Sequence, residues 1–591
     1  MNKIVPHPGF SGGRSKTVSN SSFGRRLLAG LLLVAAMQLP AADPSVSPTR
    51  NLIDHFRQDR GALERLYSIE LSAAHRDRLT RLYRESLDAL DRLDFEKLDQ
   101  AGRIDWLLFR NQLQFQLGEL DYTARKAAEV QPLLPFADTI VALEEGRRRL
   151  QPQEPRASAA EVAGVPATIK SVRERLEEQV KDKSAPGPVI GRRAAMAVDD
   201  LRRSLRDWNR FYAEYHPSFT WWLKEPVTAA DKALEDYAWF LREKLAGYKK
   251  GEDEPVIGDP IGREALLDYL RAEFIPYTPE ELIALAEKEF AWCEREMKRA
   301  ATDLGFDGDW AKAMAHVSQL HVEPGDQPTL IRRLAEEAIR FLEERDLVTI
   351  PPLAKETWRM EMMPAERQKV NPYFLGGEVI QVSYPTDEMS HEDKLMSMRG
   401  NNVHFSRATV HHELIPGHHL QGFMAQRYHT HRSLFRTPFL VEGWALYWEM
   451  LLWDLGFPQS AEDRVGMLFW RSHRCARIIF SLKFHLGEMT AQECIDYLIK
   501  RVGHEPRNAT AEVRRSVAGD YSPTYQAAYM LGGLQIRAMH KELVASGRMT
   551  NKQFHDAILL ENSIPIELIR ASLTKQPLGR DFTTSWRFYG E

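Results

Sequence analysis

Cysteine is scarce in this sequence, because only three of its 591 residues are cysteines. Three thiols cannot build the disulfide framework that stabilises many small secreted domains. One bridge is the most that they allow, and Cys475 and Cys494 would then be the nearer pair. We expect instead that Cys293, Cys475 and Cys494 are free and buried.

The sequence also lacks a strong charge of either sign. Its formal net charge is −4 and its pI is about 6.6, so electrostatics give no reason to expect a nucleic-acid partner. Internal repeats and low-complexity tracts are absent as well. The composition therefore argues against a repeat array and against extensive disorder.

Long hydrophobic runs are absent too, with one short exception near the N-terminus. Arg25 and Arg26 precede an apolar run over residues 27–39, which ends in Pro-Ala-Ala. These features are typical of a secretory signal peptide, and the run is shorter than the roughly 20 residues of a membrane-spanning helix. We predict a signal peptide over residues 1–42, with an uncleaved anchor as the alternative. The protein should then be periplasmic or secreted, with no stable membrane span.

Hydrophobic residues are otherwise plentiful. They make up 43% of the chain and include 13 Trp and 26 Phe, enough for a large buried core. Apolar positions recur at three- and four-residue steps, which is the spacing of helices. We predict a mainly α fold in one large unit over residues 43–591. Within it, a helical subdomain over 45–250 and a catalytic part over 255–591 are a further division.

Local signals predict the ends of particular elements. The sequence Thr278-Pro279-Glu280-Glu281 combines a capping side chain, Pro at the first helical position and acids near the helix dipole, so a helix should run from here to about Ala301. Another helix is predicted over 327–344. Residues 151–166, rich in Pro, Ala and Glu, are predicted to form a linker or exposed loop.

A small β element is predicted just before the helix that carries the candidate metal ligands. Prolines and the β-branched pattern at 379–383 favour short strands between residues 347 and 385. An extended peptide could pair with the edge of such a strand. An ordinary loop with a hairpin is the alternative.

The segment 411–421 holds a dense cluster of candidate metal ligands. It reads His-His-Glu-Leu-Ile-Pro-Gly-His-His-Leu-Gln, and seven of the 19 histidines lie between His404 and His431. Neutral imidazoles bind zinc, and a Glu beside a zinc-bound water acts as a general base. The segment is a lengthened His-Glu-x-x-His signature with two additional residues before the second His. Packed or surface histidines are the alternative.

The spacing of these histidines requires a break in the helix. His412 and His418 are six residues apart, about 120° away from a shared helix face. Pro416 cannot continue the backbone hydrogen bonds and Gly417 tolerates unusual dihedral angles, so a bulge could bring the two imidazoles together. Pairs seven residues apart would lie about 10.5 Å from each other along the axis, too far for joint ligation. We therefore predict His412 and His418 as ligands and Glu413 as the base.

The third ligand is predicted in the segment Leu440-Val441-Glu442-Gly443-Trp444-Ala445-Leu446-Tyr447. Glu442 starts an apolar helix, where an unpaired carboxylate would be costly to bury. A catalytic zinc site needs three protein ligands and one open position. An acid that merely interacts with the helix dipole is the alternative for Glu442.

Two segments of the chain carry a family resemblance. They read His-Glu-Leu-Ile-Pro-Gly-His-His-Leu-Gln and, later, Glu-Gly-Trp-Ala-Leu-Tyr-Trp-Glu. Together they resemble a bacterial family catalogued as domain of unknown function 885. That family is similar to gluzincin metallopeptidases, the relatives of thermolysin and angiotensin-converting enzyme. The likeness covers most of the chain from about residue 50. It implies a large helical gluzincin-like fold, a Zn²⁺ site of His412, His418 and Glu442, and Glu413 as the catalytic carboxylate.

The resemblance extends to a C-terminal block from Glu512 to Gly532. Gluzincins place a Tyr or His opposite the metal to bind the developing oxyanion, which implies Tyr529 first and Tyr525 second. Core aromatics on a helix are the alternative for either residue.

The sequence departs from the gluzincin pattern at one ligand-orienting position. Leu446 stands where many gluzincins carry an acid that orients a zinc-bound His, so that partner must come from elsewhere. His485 is expected to be structural. Arg514 and Arg515 are both candidates for binding a substrate carboxylate.

The predicted function is zinc-dependent hydrolysis, most simply of short peptides, with Glu413 transferring the proton. A zinc hydrolase of another amide or ester is one alternative, because the same site serves any activated carbonyl. A non-catalytic exported protein that binds a metal or a peptide is the other. A peptide or small amide is the expected partner.

Overall fold

The computed structural model describes residues 47–368, 374, 376–519 and 521–590. The predicted signal peptide lies outside these residues. The part that is described is mainly helical, as the apolar spacing predicts, and it forms one compact unit. The division at about residue 250 stays a prediction.

The first third of the chain is a series of long helices. The described part of this region contains nine helical segments, and five of them have Pro at their first or second position. The nine segments are α1 Pro48–Leu66, α2 Ala73–Asp91, the 3₁₀ segment Phe95–Lys97, α3 Gln100–Val130, the 3₁₀ segment Gln131–Leu133, α4 Ala137–Arg148, α5 Pro155–Lys181, α6 Pro188–Ala213 and α7 Pro217–Lys244.

The predicted linker over 151–166 is wrong over most of its length, because α5 begins at Pro155 and runs through Pro166. The Glu154 side chain accepts a hydrogen bond from the Ala157 N–H and caps the helix. Val162 and Val165 are buried in the hydrophobic cluster of this region, where α5 packs against α7. Tertiary packing of this apolar face therefore outweighs the internal Pro, and the alanines themselves favour a helix.

The next helices carry the local signals that the sequence analysis used. They are α8 Arg263–Ala272, α9 Pro279–Asp303, α10 Trp310–Ser318, α11 Gln327–Glu344 and α12 Pro352–Thr357. Thr278 caps the start of α9 as predicted, and the Glu281 side chain completes a reciprocal capping box with it. The predicted helix over 327–344 is confirmed with the same bounds.

Two short strands follow, and the β-branched pattern predicts the second one. Strand β1 Arg359–Met362 pairs in parallel with β2 Val379–Val382, and the short helix α13 Ala365–Gln368 lies between them. The hairpin alternative is therefore wrong, because hairpin strands would be antiparallel.

The C-terminal half returns to helices. These are α14 His391–Gly400, α15 Val403–Glu413, α16 His418–Ala425, the 3₁₀ segment Thr430–Phe435, α17 Pro438–Asp454, α18 Ala461–His485, α19 Ala491–Val502, α20 Pro506–Val517, α21 Tyr525–His540, the π segment Lys541–Ala545, α22 Asn551–Leu560 and α23 Ile566–Thr574.

The core is organised around α18, which is buried along almost its whole length. The helices α9, α15, α19 and α21 pack against it. Helices α1–α3 belong to the same hydrophobic cluster, whereas α4–α7 enclose a separate one. The three cysteines are free and buried, as expected. Among the described residues, no helix has the length and hydropathy to cross a bilayer.

Candidate metal centre

The His-rich segment forms two helices with a sharp turn between them. Helix α15 ends at Glu413, Leu414 adopts φ −107° and ψ −106°, and α16 begins at His418. A Cβ on Gly417 would lie 1.8 Å from the His412 carbonyl oxygen, so only glycine fits at this position. The structure thus replaces the predicted bulge with a complete break in the helix.

The break brings the two predicted imidazoles together. The ring centroids of His412 and His418 are 4.8 Å apart and the rings are perpendicular. Glu442 lies in the second turn of α17, and its Oε2 atom is 3.7 Å from His412 Nε2 and 3.2 Å from His418 Nε2. One ligand atom from each of the three residues lies within 4.8 Å of the other two.

The electrostatics of this cluster favour a cation. Burial raises the pKa of the Glu442 carboxyl, but His418 and His412 lower it by more, well below its usual range. Burial likewise disfavours a charged His412, yet the carboxylates of Glu442 and Glu449 raise its pKa to about 9. The buried carboxylates therefore require a positive charge at this position.

Glu449 is the candidate for the ligand-orienting acid whose position the sequence left open. It lies seven residues, or two helical turns, after Glu442, and its Oε1 accepts a hydrogen bond from His412 Nδ1 at 2.6 Å. Leu446, four residues after Glu442, is buried in the core. Because Nδ1 donates to Glu449, Nε2 is the nitrogen of His412 that remains to bind a metal.

Glu413 faces the same space from the end of α15. Its Oε2 atom is 4.0 Å from His418 Nε2. Burial raises the pKa of Glu413 above its usual value. A Cβ on Gly376 would lie 2.2 Å from Glu413 Oε2, so the backbone before β2 approaches this carboxylate closely.

The two predicted tyrosines lie in the cavity but have different surroundings. The Tyr525 hydroxyl donates a hydrogen bond to Glu442 Oε1 at 2.5 Å, so it holds the candidate ligand. The Tyr529 ring stacks on His412, with centroids 6.2 Å apart, and lies under the guanidinium groups of Arg474 and Arg477. Burial raises the pKa of both phenols, which keeps them protonated hydrogen-bond donors.

All six predicted site residues line one cavity of about 790 Å³. This volume lies in the range of small-molecule and cofactor sites. The cavity is also rich in arginine. The arginines that line it are Arg57, Arg367, Arg436, Arg474, Arg477 and Arg515.

Other residues that the sequence analysis named lie elsewhere. His411 contacts the Arg407 carbonyl, and His419 donates to the Ala354 carbonyl, so neither imidazole joins His412 and His418. His485 is buried outside the cavity lining, and burial lowers its pKa to about 4. Arg514 donates to the Glu254 carbonyl, whereas Arg515 lines the cavity.

The sequence analysis did not identify Glu449, Arg474, Arg477 or Glu512 as functional candidates. One signal was available, since charged residues inside the apolar helices α17 and α18 must be paired. That signal does not say which partner each residue takes, because the partners lie on different helices.

The donor set fits zinc. Two imidazole nitrogens and one carboxylate oxygen are the protein ligands of many catalytic zinc sites. The buried Glu442 Oε2 atom accepts no hydrogen bond of normal geometry, although two imidazoles face it. Its unsatisfied lone pairs therefore suit a bound cation.

Comparison with other proteins gives a family and a fold. A family model described as "Bacterial protein of unknown function (DUF885)" matches residues 61–573. A solved structure described as "a putative lipoprotein of unknown function from Shewanella oneidensis" is 18% identical, with a TM-score of 0.66, over 90% of this chain and 100% of that chain. Another solved structure, "the putative lipoprotein from Colwellia psychrerythraea", is 16% identical, with a TM-score of 0.56. That similarity covers 90% of this chain and 99% of that chain. No curated protein matches this chain.

Proposed function

The chain belongs to the DUF885 family of bacterial proteins of unknown function, and from that premise we propose that it is an exported zinc-dependent metallopeptidase that cleaves short peptides. One observation carries the proposal. His412, His418 and Glu442 converge in a cavity that also contains the buried carboxylate of Glu413. Two imidazoles, a ligand carboxylate and an adjacent free carboxylate are the parts of a gluzincin site, so we infer kinship with that group.

Each side chain has a defined role in this proposal. Zinc, when bound, acidifies a coordinated water and polarises the substrate carbonyl. Glu413 accepts the water proton and returns it to the leaving amine, and its raised pKa suits a group that must both accept and donate. Glu449 and Tyr525 hold the ligands His412 and Glu442 in place. Tyr529 remains our first candidate for the donor to the oxyanion and Tyr525 the second.

Peptides are the proposed substrate class because of the cavity and the nearby strand. Residues 376–378 line the cavity and lead directly into β2. Among the described residues, β2 pairs with β1 alone, so its other edge can accept an extended peptide. Export is proposed from the apolar run at 27–39, and both solved relatives are described as putative lipoproteins.

The test combines metal analysis with peptide cleavage. We expect one zinc per chain and cleavage of members of a peptide library, detected by mass spectrometry. Glu413→Gln should reduce hydrolysis by about 10²–10⁴-fold while zinc content and thermal stability remain unchanged. Glu336→Gln, on the exposed face of α11, is the matched control and should keep full activity.

The same experiment separates the alternatives. Full activity in Glu413→Gln would contradict the general-base role. Hydrolysis of esters or simple amides without peptide cleavage would assign another substrate class. Zinc binding without any hydrolysis would favour a non-catalytic binding protein.

A further inference from the structure

One wall of the cavity is built from arginine side chains on two helices. Arg474 and Arg477 project from α18 and Arg515 projects from α20, and all three line the cavity that contains the candidate metal centre. Arg474 and Arg477 are 4% and 3% exposed, so their charges are almost fully removed from water. Buried guanidinium groups of this kind require carboxylate partners.

Two of these three arginines have a close carboxylate partner. Arg477 Nε donates to Glu512 Oε1 at 2.6 Å, and Arg515 pairs with the other oxygen of the same carboxylate. Burial by itself would raise the pKa of Glu512. The positive charges of Arg477 and Arg515 outweigh burial and lower this pKa to about 2. Glu512 is therefore ionised and is shared by two guanidinium groups.

Arg474 is less well compensated. Its nearest carboxylate oxygen is Glu449 Oε1, at 3.6 Å, and that atom already accepts the short hydrogen bond from His412. The buried Nε of Arg474 has no hydrogen-bond partner. Burial, together with the neighbouring Arg477, lowers the pKa of Arg474. An anionic group bound in the cavity would compensate the charge of this guanidinium.

We propose that Arg474, supported by Arg477, binds the C-terminal carboxylate of the substrate, so that the protein acts as a carboxypeptidase. This inference rests on the proposed zinc hydrolase function. Both guanidinium groups lie over the Tyr529 ring, at 5.1 and 4.5 Å from its centroid. Stacking on this ring orients them before a substrate arrives.

The position of the wall favours a chain terminus over an internal residue. Helix α18 is buried along almost its whole length, so a peptide cannot continue past Arg474 through the core. Arg474 is also linked to His412 through the single carboxylate of Glu449. A carboxylate bound to Arg474 therefore lies about one or two residues from the scissile bond, given about 3.5 Å of chain per residue.

The reaction balances as a hydrolysis. Water adds across the last or penultimate peptide bond, and its oxygen bonds to the carbonyl carbon as the C–N bond breaks. The proton that Glu413 accepts passes to the leaving nitrogen. The products are a peptide with a new C-terminal carboxylate and a free amino acid or dipeptide.

The first test uses wild-type protein and requires no variant. An N-acetylated hexapeptide with a free C-terminal carboxylate is compared with its C-terminal amide in the presence of zinc. We expect cleavage at the C-terminal end and a kcat/KM at least about tenfold higher for the free acid, as a charge-assisted hydrogen bond predicts. Equal rates, or internal cleavage of both peptides, would overturn the inference.

A binding measurement separates this inference from the proposed function. The zinc-loaded Glu413→Gln protein is titrated with the same two peptides, each with an N-terminal fluorophore, and polarisation is recorded. Binding of the free acid at least about tenfold more tightly supports the carboxylate site, even if the wild type hydrolyses nothing. Equal affinity overturns the site, even if the wild type cleaves peptides. An amidated peptide with an internal Glu that binds as tightly as the free acid also overturns it.

Variants then locate the site. Arg474→Gln should bring the ratio of free-acid to amide affinity close to one, whereas Arg514→Gln should keep the wild-type ratio. Arg514 is the matched control, because it lies beside Arg515 on α20 but donates to the Glu254 carbonyl. If Arg474→Gln does not fold, Arg477→Lys is measured instead, and a ratio that stays at the wild-type value contradicts the assignment.

Discussion

At the scale of single residues, the candidate centre depends on groups that hold the ligands. Glu449 accepts a hydrogen bond from His412, and Tyr525 donates one to Glu442. Both lie outside the set of three ligands. Such groups fix the orientation of a ligand and increase its affinity for the metal. The predicted roles of His412, His418, Glu442 and Glu413 therefore depend on side chains from α17 and α21.

Replacing Glu449 by Gln should weaken zinc binding about 10- to 100-fold, because His412 loses its charged acceptor. The measurement is a competition titration with a chromophoric chelator. Asp454→Asn is the matched control, since Asp454 ends the same helix in an exposed ion pair with Arg537 and should not affect zinc. An unchanged zinc dissociation constant in Glu449→Gln would rule out the orienting role.

A second residue-scale prediction concerns pH. Burial raises the pKa of Glu273 from 4.5 to about 7, and its buried Oε2 has no hydrogen-bond partner. Between pH 4.5 and about 7, Glu273 holds a proton in the folded state that it releases in the unfolded state. The free energy of unfolding therefore falls as pH rises through this range. The loss is at most about 3 kcal/mol, and it is complete above pH 7.

Glu273→Gln should therefore be more stable than the wild type at pH 8, and this gain should disappear towards pH 4.5. Thermal unfolding at pH 5, 6.5 and 8 measures the difference. Glu264→Gln, at an exposed position of α8, the helix that ends just before Glu273, should show no such pH-dependent gain. A constant difference between Glu273→Gln and the wild type at all three pH values would contradict the prediction.

At the scale of elements, two close approaches of backbone position the site. Gly417 permits the turn between α15 and α16 that aligns His412 with His418. Gly443 and Gly532 permit α17 and α21 to cross with their backbones in contact, since a Cβ on Gly443 would lie 2.5 Å from Gly532 Cα. This crossing sets Tyr525 beside Glu442.

Gly532→Ala should disturb that crossing, because the added Cβ would lie 1.9 Å from the Phe439 carbonyl oxygen. We expect a loss of about 1–3 kcal/mol in the free energy of unfolding, together with weaker zinc binding. Urea unfolding and zinc titration measure the two effects. Gly164→Ala is the matched control, since an added Cβ there meets nothing within 4 Å and should stabilise α5 by about 0.5–1 kcal/mol. An unaffected Gly532→Ala protein would show that the helices can move apart freely.

At the scale of the whole molecule, the proposed metal would connect three helices of one core. Its ligands come from α15, α16 and α17, and α18 packs against α15. A ligand that binds only the folded state stabilises it by mass action. Metal content and global stability should therefore be linked.

Removing metal with a chelator should lower the melting temperature, and zinc should restore it. At a free zinc concentration of 100 times the dissociation constant, the gain in the free energy of unfolding is about 2.7 kcal/mol. Differential scanning calorimetry with and without zinc checks this. His412→Ala lacks one proposed ligand and should show no comparable shift. An equal shift in His412→Ala would place the zinc elsewhere.

The sequence determined much of the local structure, because helical spacing and capping residues act over a few neighbouring positions. The start of α9, both ends of α11 and the location of β2 follow from such signals. So does the identity of the candidate ligands, since Pro416-Gly417 marks the turn that brings His412 near His418. The continuation of α5 through Pro166 was not predictable, because packing against α7 decides it.

Only the tertiary structure decided which distant side chains surround the site. Glu449, Arg474 and Glu512 are buried charged residues on α17, α18 and α20, and burial requires only that each has some partner. Their partners come from other helices, and the crossing of these helices depends on backbone contacts at Gly443 and Gly532. Pairing of buried charges is a property of packed elements, so no local pattern specifies it.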